Sequence, residues 1–101
     1  MLTTNLALAE IHRLLLYRAG TKAAATALEK IEASPLVSIK FPDSTHHASA
    51  KAWMKKLQAH PISYADAVSF AAMEAAGCSQ ALTYDRHFDI AGFEGVDEVL
   101  E

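Results

Sequence analysis

An α/β sandwich with a mainly parallel sheet is the fold this sequence predicts. Stretches of helical apolar periodicity alternate with short runs of strand character. Each helical stretch is bounded by residues that cap or break helices, and no apolar stretch is long enough to span a bilayer. The 101 residues are read as one domain, 1–101, long enough for a single core. With 51% hydrophobic and 21% charged residues, the composition excludes a disordered chain. The start shows no basic segment followed by an apolar stretch, so no membrane partner is expected. Cys78 stands alone and no internal disulfide can form, which fits a reducing, cytoplasmic compartment; beside Gly77 it reads as small core filler. A net charge of −3 argues against non-specific phosphate binding, so any nucleic-acid contact must come from a local patch or a bound metal.

Thr3, Thr4 and Asn5 are cap candidates for a helix continuing to about Ala19. On it Leu8, Ile11, Leu14 and Leu15 form an apolar stripe, with Leu6, Glu10, Arg13 and Tyr17 on another side. Gly20 supplies a left-handed stop and Thr21 a cap for a second helix over 22–33, anchored by Leu28 and Ile31 and ended by Ser34-Pro35. Residues 36–41, LVSIKF, are rich in β-branched and aromatic residues between two prolines and read as a strand. Asp43, Ser44 and Thr45 open a helix to about Ala59, with Ala48, Ala52, Trp53 and Leu57 inward and Lys51, Lys55 and Lys56 outward. Ser63 and Asp66 resemble a capping box for a helix over 64–76 that offers Val68, Ala71, Ala72 and Ala75 for burial and closes at Gly77. Residues 81–84, ALTY, form a short strand, and 96–100 a possible edge strand.

In such a sheet, helix N-termini and strand C-termini share one rim, where ligand sites form. Asp85 ends a strand, Asp66 lies in the first turn of the helix feeding that strand, and Glu10 lies in the early turns of the first helix. Taken singly, each has an ordinary reading: a turn former, a helix-start acid and a solvated helix acid. Taken together they converge, and like charges at about 4 Å cost about 4 kcal/mol at an effective dielectric of about 20 unless a cation intervenes. Carboxylate-only clusters suit Mg²⁺ or Mn²⁺, and the chemistry that follows is metal-assisted phosphodiester hydrolysis.

Three blocks, TTNLALAEIHRLLLYRAG, ISYADAVSFAAMEAAG and ALTYDRHFDIAGF, resemble in order and spacing the later motif regions of PIN domains, the fold of VapC-type toxin ribonucleases. The matching features are Thr4-Asn5 before Glu10, Ser63 before Asp66, and Thr83-x-Asp85-x-x-Phe88 followed by Gly92-Phe93. The resemblance implies a Mg²⁺ site containing Glu10, Asp66 and Asp85, with Thr83 orienting its neighbour and Ser63 supporting Asp66. His87 stands where many relatives carry a further acid. An antitoxin protein, bound in the groove over the acids, is a partner implied by the same resemblance.

The family opens with an apolar strand ending in Asp-Thr or Asp-Ser, and this chain begins where the second strand of the family finishes. The expectation is a PIN-like parallel sheet lacking its first, central strand, without the first metal-binding acid and with weakened activity. The lost strand would lie between Leu2 and residues 81–84, leaving backbone groups unpaired. Re-pairing, dimerisation or segment exchange would close the gap; alternatively Met1 is an internal residue taken for an initiator.

Arg13, Arg86 and His87, near the acidic rim, are candidate phosphate contacts. Lys51, Lys55 and Lys56 with His47 could touch RNA, although a solvated face explains them as well; Tyr64 could stack on a base but reads first as core, as do Trp53 and Phe70. Adjacent His46-His47 and the Glu10/His12 spacing do not make a zinc site. The small-residue helices leave apolar surface suited to a partner chain, so a homo-oligomer is expected. Two functions remain: a Mg²⁺-dependent endoribonuclease, weak or inactive as it stands, or a non-catalytic module binding nucleic acid or protein. Completeness of the acidic site decides between them; the sequence does not specify an RNA target.

Overall fold

The computed structural model describes residues 1–82 and 94–96. The order is β1 (Leu2–Thr4), α1 (Asn5–Ala19), α2 (Thr21–Ala33), β2 (Ser38–Lys40), α3 (Ser44–Lys56), α4 (Tyr64–Ala76), β3 (Gln80–Leu82) and β4 (Glu94–Val96). The strands form one sheet in the order β2-β1-β3-β4, each neighbouring pair parallel. This is the predicted α/β architecture. No helix among the described residues is long and apolar enough to cross a membrane.

The pleat sorts the core into two layers. Leu2 and Ala81 are register partners and pack with Ala50, Trp53, Ala67, Phe70, Ala71 and Met73 from α3 and α4. Ile39 is the register partner of Thr3 and packs instead with Leu8, Ile11 and Ile31 from α1 and α2. Because successive strand residues face opposite ways, the two helix pairs cover opposite faces of the sheet. Helix α4 is the most enclosed of the four helices: every residue from 66 to 73 is buried.

Helices α3 and α4 run in the same direction. His47 meets Tyr64 and Trp53 meets Phe70, and both pairs are separated by 17 residues in sequence, as only a parallel register allows. Residues 57–63 therefore bring the chain back along α3. The return from the level of Lys56 to that of His47 is about 14 Å, well within the reach of seven residues at about 3.3 Å each.

Several expectations need correction. Ala48 and Ala52 on α3 are exposed; Ala50 is buried beside Trp53, with Leu57 half-buried. The helix also ends at Lys56, not near Ala59. Thr21 is the first residue of α2 rather than its cap, which is Gly20. With φ 92° and ψ 174°, Gly20 occupies a region reserved almost wholly for glycine. Ala75 is exposed, while Met73 and Phe70 are buried. A strand is described at Glu94–Val96; residues 97–101, which hold most of the predicted 96–100 strand, lie outside the described residues.

The predicted gap beside β1 is closed by direct pairing of β1 with β3. That junction is shallow: it has the single register pair Leu2↔Ala81, against three pairs each for β1–β2 and β3–β4.

Candidate active site

Strand polarity fixes one rim. Helix α1 leaves directly from the C-terminal end of β1. Helix α4 returns to β3 through residues 77–79, so its N-terminus lies at the level where β3 ends. Strand β2 is parallel to β1, and α3 starts four residues after it, with an N-terminus level with that of α4. The starts of α1, α3 and α4 thus gather at the C-terminal edge of the sheet, each presenting backbone N–H groups and the positive end of its dipole.

At this rim Thr4 is fully buried and caps α1: its Oγ1 accepts a hydrogen bond from the Ala7 N–H at 3.1 Å. The same oxygen lies 3.5 Å from Ser69 Oγ on α4. Ser69 donates its one hydroxyl proton to the Ala65 carbonyl at 3.1 Å, so Thr4 is the donor in the weak contact between the two hydroxyls. These bonds tie β1 and α1 to the first turns of α4.

Ser63 caps α4, its Oγ accepting from the Asp66 N–H at 3.1 Å, which forms the serine half of the predicted box. Asp66 is only 3% exposed. Among the described residues no hydrogen bond reaches its Oδ2, although the residue has interactions of its own. About 3 Å along α4 from Tyr64, it lies in the dipole field of the helix start, which favours an anion. Taking a carboxylate out of water is costly unless it is paired, hydrogen-bonded or ion-bound. Asp66 is thus a helix-start acid, as its ordinary reading has it, and one that is buried.

Glu10 is exposed on α1, about 8 Å along the helix from Asn5. With Arg13, Leu14 and Tyr17 it lines an open recess of about 430 Å³. Arg13 lies about 12 Å from the helix start, its guanidinium carbon 6.0 Å from the centre of the Tyr17 ring. Thr83, Asp85, Arg86 and His87 lie outside the described residues. Among the described residues no group of three His, Cys, Asp or Glu side chains is placed to hold a metal ion.

Two features of the rim are not expected from the sequence. Ser69 carries part of the tie between β1 and α4, and its signal is a small polar residue three positions after Asp66 in an apolar run. Tyr64, expected in the core, is 45% exposed, and its hydroxyl lies 2.9 Å from His47 Nδ1.

Comparison with known proteins agrees with this architecture. The PIN domain profile matches residues 1–94. This chain belongs to the PIN domain family. It is 32% identical over 93 residues to the 23S rRNA-specific endonuclease VapC20 of Mycobacterium tuberculosis, in strain CDC 1551 / Oshkosh and equally in strain H37Rv. The match covers 92% of this chain and 70% of each relative. The crystal structure of M. tuberculosis VapC20, described as a sarcin-ricin loop cleaving toxin, superposes with a TM-score of 0.75 at 33% identity, covering 91% of this chain and 70% of that one. The PIN fold and a ribonuclease lineage follow, and the rim described above is where this PIN domain places its buried acid, at the edge of the sheet.

Proposed function

We propose that this PIN domain is a divalent-metal-dependent endoribonuclease of the VapC toxin lineage, cutting RNA by phosphodiester hydrolysis. The observation that carries the reading is the buried carboxylate of Asp66, held by the Ser63 cap at a rim where three helices begin. Glu10 on α1 and Asp85, beyond the described part of β3, supply the other acids. All three donors are carboxylate oxygens, which fit Mg²⁺ or Mn²⁺ rather than a softer ion. When bound, such an ion polarises a phosphoryl oxygen and acidifies an attacking water.

The chain's own residues do the positioning. Ser63 fixes the first turn of α4 and hence Asp66; Thr4 and Ser69 lock that turn to the end of β1. The N–H groups of three helix starts favour phosphate at the rim. Arg13, Arg86 and His87 are the proposed phosphate contacts, with Thr83 supporting Asp85.

An antitoxin protein and self-association are proposed as partner interactions. They are supported by exposed apolar side chains, Tyr17, Leu36 and Phe41, and by an apolar recess of about 710 Å³ lined by Leu8, Ala9, Leu28, Ile39 and Phe41. Light scattering would test self-association: a mass of two or more chains is expected, and a monomer at all concentrations would reject it.

The catalytic reading is tested by incubating the chain with structured RNA and Mg²⁺ or Mn²⁺. Cleavage should stop with EDTA and fall by at least about a hundredfold in Asp66→Asn. Cleavage insensitive to both would reject it. RNA binding without turnover would point to the alternative, a non-catalytic PIN module.

A further inference from the structure

Charge is unevenly distributed over the four helices. Helix α1 mixes Glu10 with Arg13 and Arg18, α2 mixes Lys22 and Lys30 with Glu29 and Glu32, and α4 carries only the acids Asp66 and Glu74. Helix α3 holds Lys51, Lys55 and Lys56 and no acid, in a chain of net charge −3. Lys56 is committed to packing, its ammonium 4.7 Å from the centre of the Trp53 ring. Lys51 and Lys55 are exposed, and no acid among the described residues pairs with either.

His47, Lys51 and Lys55 are spaced four residues apart, a stripe rising about 12 Å along α3. At its upper end His47 meets Tyr64, with ring centroids 5.6 Å apart and planes inclined by 58°. The hydrogen bond to His47 occupies the Tyr64 hydroxyl and restrains the ring of an exposed residue. Tyr64 is the first residue of α4, two before Asp66. A restrained aromatic ring in the first turn of α4, at the rim, thus continues through His47 into two exposed cations on α3.

We propose that Tyr64, His47, Lys51 and Lys55 form a contact surface for single-stranded RNA leading to the acidic rim. The Tyr64 ring stacks on a base, His47 holds that ring in place, and Lys51 and Lys55 meet backbone phosphates. The surface commits to RNA over an acidic peptide because an aromatic ring at the rim and exposed cations along α3 form one continuous stripe. Fixing the ring beforehand lowers the ordering cost of stacking. The inference rests on the ribonuclease reading for its ligand, but its test does not depend on turnover.

The experiment measures binding of a fluorescein-labelled single-stranded RNA by anisotropy at several salt concentrations, with EDTA present so that cleavage does not intervene. Lys51→Gln/Lys55→Gln should weaken binding and flatten the slope of log K against log salt by about 1.4, at about 0.7 for each phosphate no longer neutralised. Tyr64→Leu should weaken binding about 5- to 150-fold, while Tyr64→Phe, which keeps the stacking ring and loses only the bond that fixes it, should weaken binding less than Tyr64→Leu. Lys22→Gln/Lys30→Gln on α2 is the control and should leave the slope unchanged. Circular dichroism verifies that each variant is folded.

An unchanged slope in the α3 variant, or a slope equally flattened by the α2 control, overturns the proposal. So does no RNA binding by the wild type, including the case in which an acidic peptide binds in its place. Face-dependent binding in a chain that never cleaves RNA supports this inference and removes the catalytic reading. Cleavage with binding indifferent to these residues does the reverse.

Discussion

Replacing Thr4 with Val keeps the shape of a fully buried side chain and removes only its hydroxyl. Two interactions go with it: the cap on the Ala7 N–H and the contact to Ser69 Oγ. An N-cap is worth about 1 kcal/mol, and a buried N–H left without an acceptor costs about 1–3 kcal/mol; these overlap, so about 2 kcal/mol is the expected loss. For a domain near this size that lowers Tm by about 8–16 °C. Thr4→Ser keeps the hydroxyl and loses one buried methyl, about 1 kcal/mol. Urea denaturation followed by circular dichroism measures both, and the midpoint should fall further for Val at unchanged slope. If Thr4→Val is as stable as Thr4→Ser or more so, Thr4 does not tie α1 to the site, and the rim is not assembled as described.

Phe70→Ala removes a buried ring and its edge contact with Trp53 at 5.4 Å, so unfolding should cost about 3–5 kcal/mol less; a loss under about 1 kcal/mol would show that the α3–α4 layer is not the core described. Gly77 caps α4 at φ 64°, and a Cβ there would meet nothing within 4 Å. Gly77→Ala should therefore cost about 1 kcal/mol by conformation alone, and a gain in Tm would refute the left-handed cap. The exposed Asp43 carboxyl is held below its ordinary range, first by the His46 N–H and then by the Thr45 N–H and the His46 ring, against an opposing effect of desolvation. Its folded pKa is depressed, so the contribution of its charge is present above the unfolded value of about 3.9 and is lost as pH falls through the lower folded value. The Tm difference between wild type and Asp43→Asn should shrink as pH falls below about 4, and a constant difference would reject the assignment.

Sequence alone located the elements whose ends are marked chemically. Helix α1 begins after Thr4 and stops before Gly20, and α4 lies between Ser63 and Gly77, because cap hydroxyls and positive-φ glycines leave a signature in residue type. Faces are harder to read where contrast is low. On α3 the alanines at 48, 50 and 52 are equally apolar, so only the position of Trp53 relative to α4 decides that Ala50 is the one buried. Tyr64 is misread for a related reason. It opens a helix whose middle, 66–73, is buried, yet as the first residue it lies at the surface, where it bonds to His47 on a neighbouring helix. The site is legible as residue types and spacing at Asp66. Its tie through Thr4 and Ser69 is not, because that contact joins positions 65 residues apart.

The central claim, that carboxylates at this rim are arranged for a divalent ion, is tested most directly by calorimetric titration of Mn²⁺ into the purified chain and into Asp66→Asn. The wild type should bind with saturable heat that Mg²⁺ competes for, and the variant should lose most of that heat while remaining folded. No binding by the wild type, or binding that Asp66→Asn leaves intact, would contradict it.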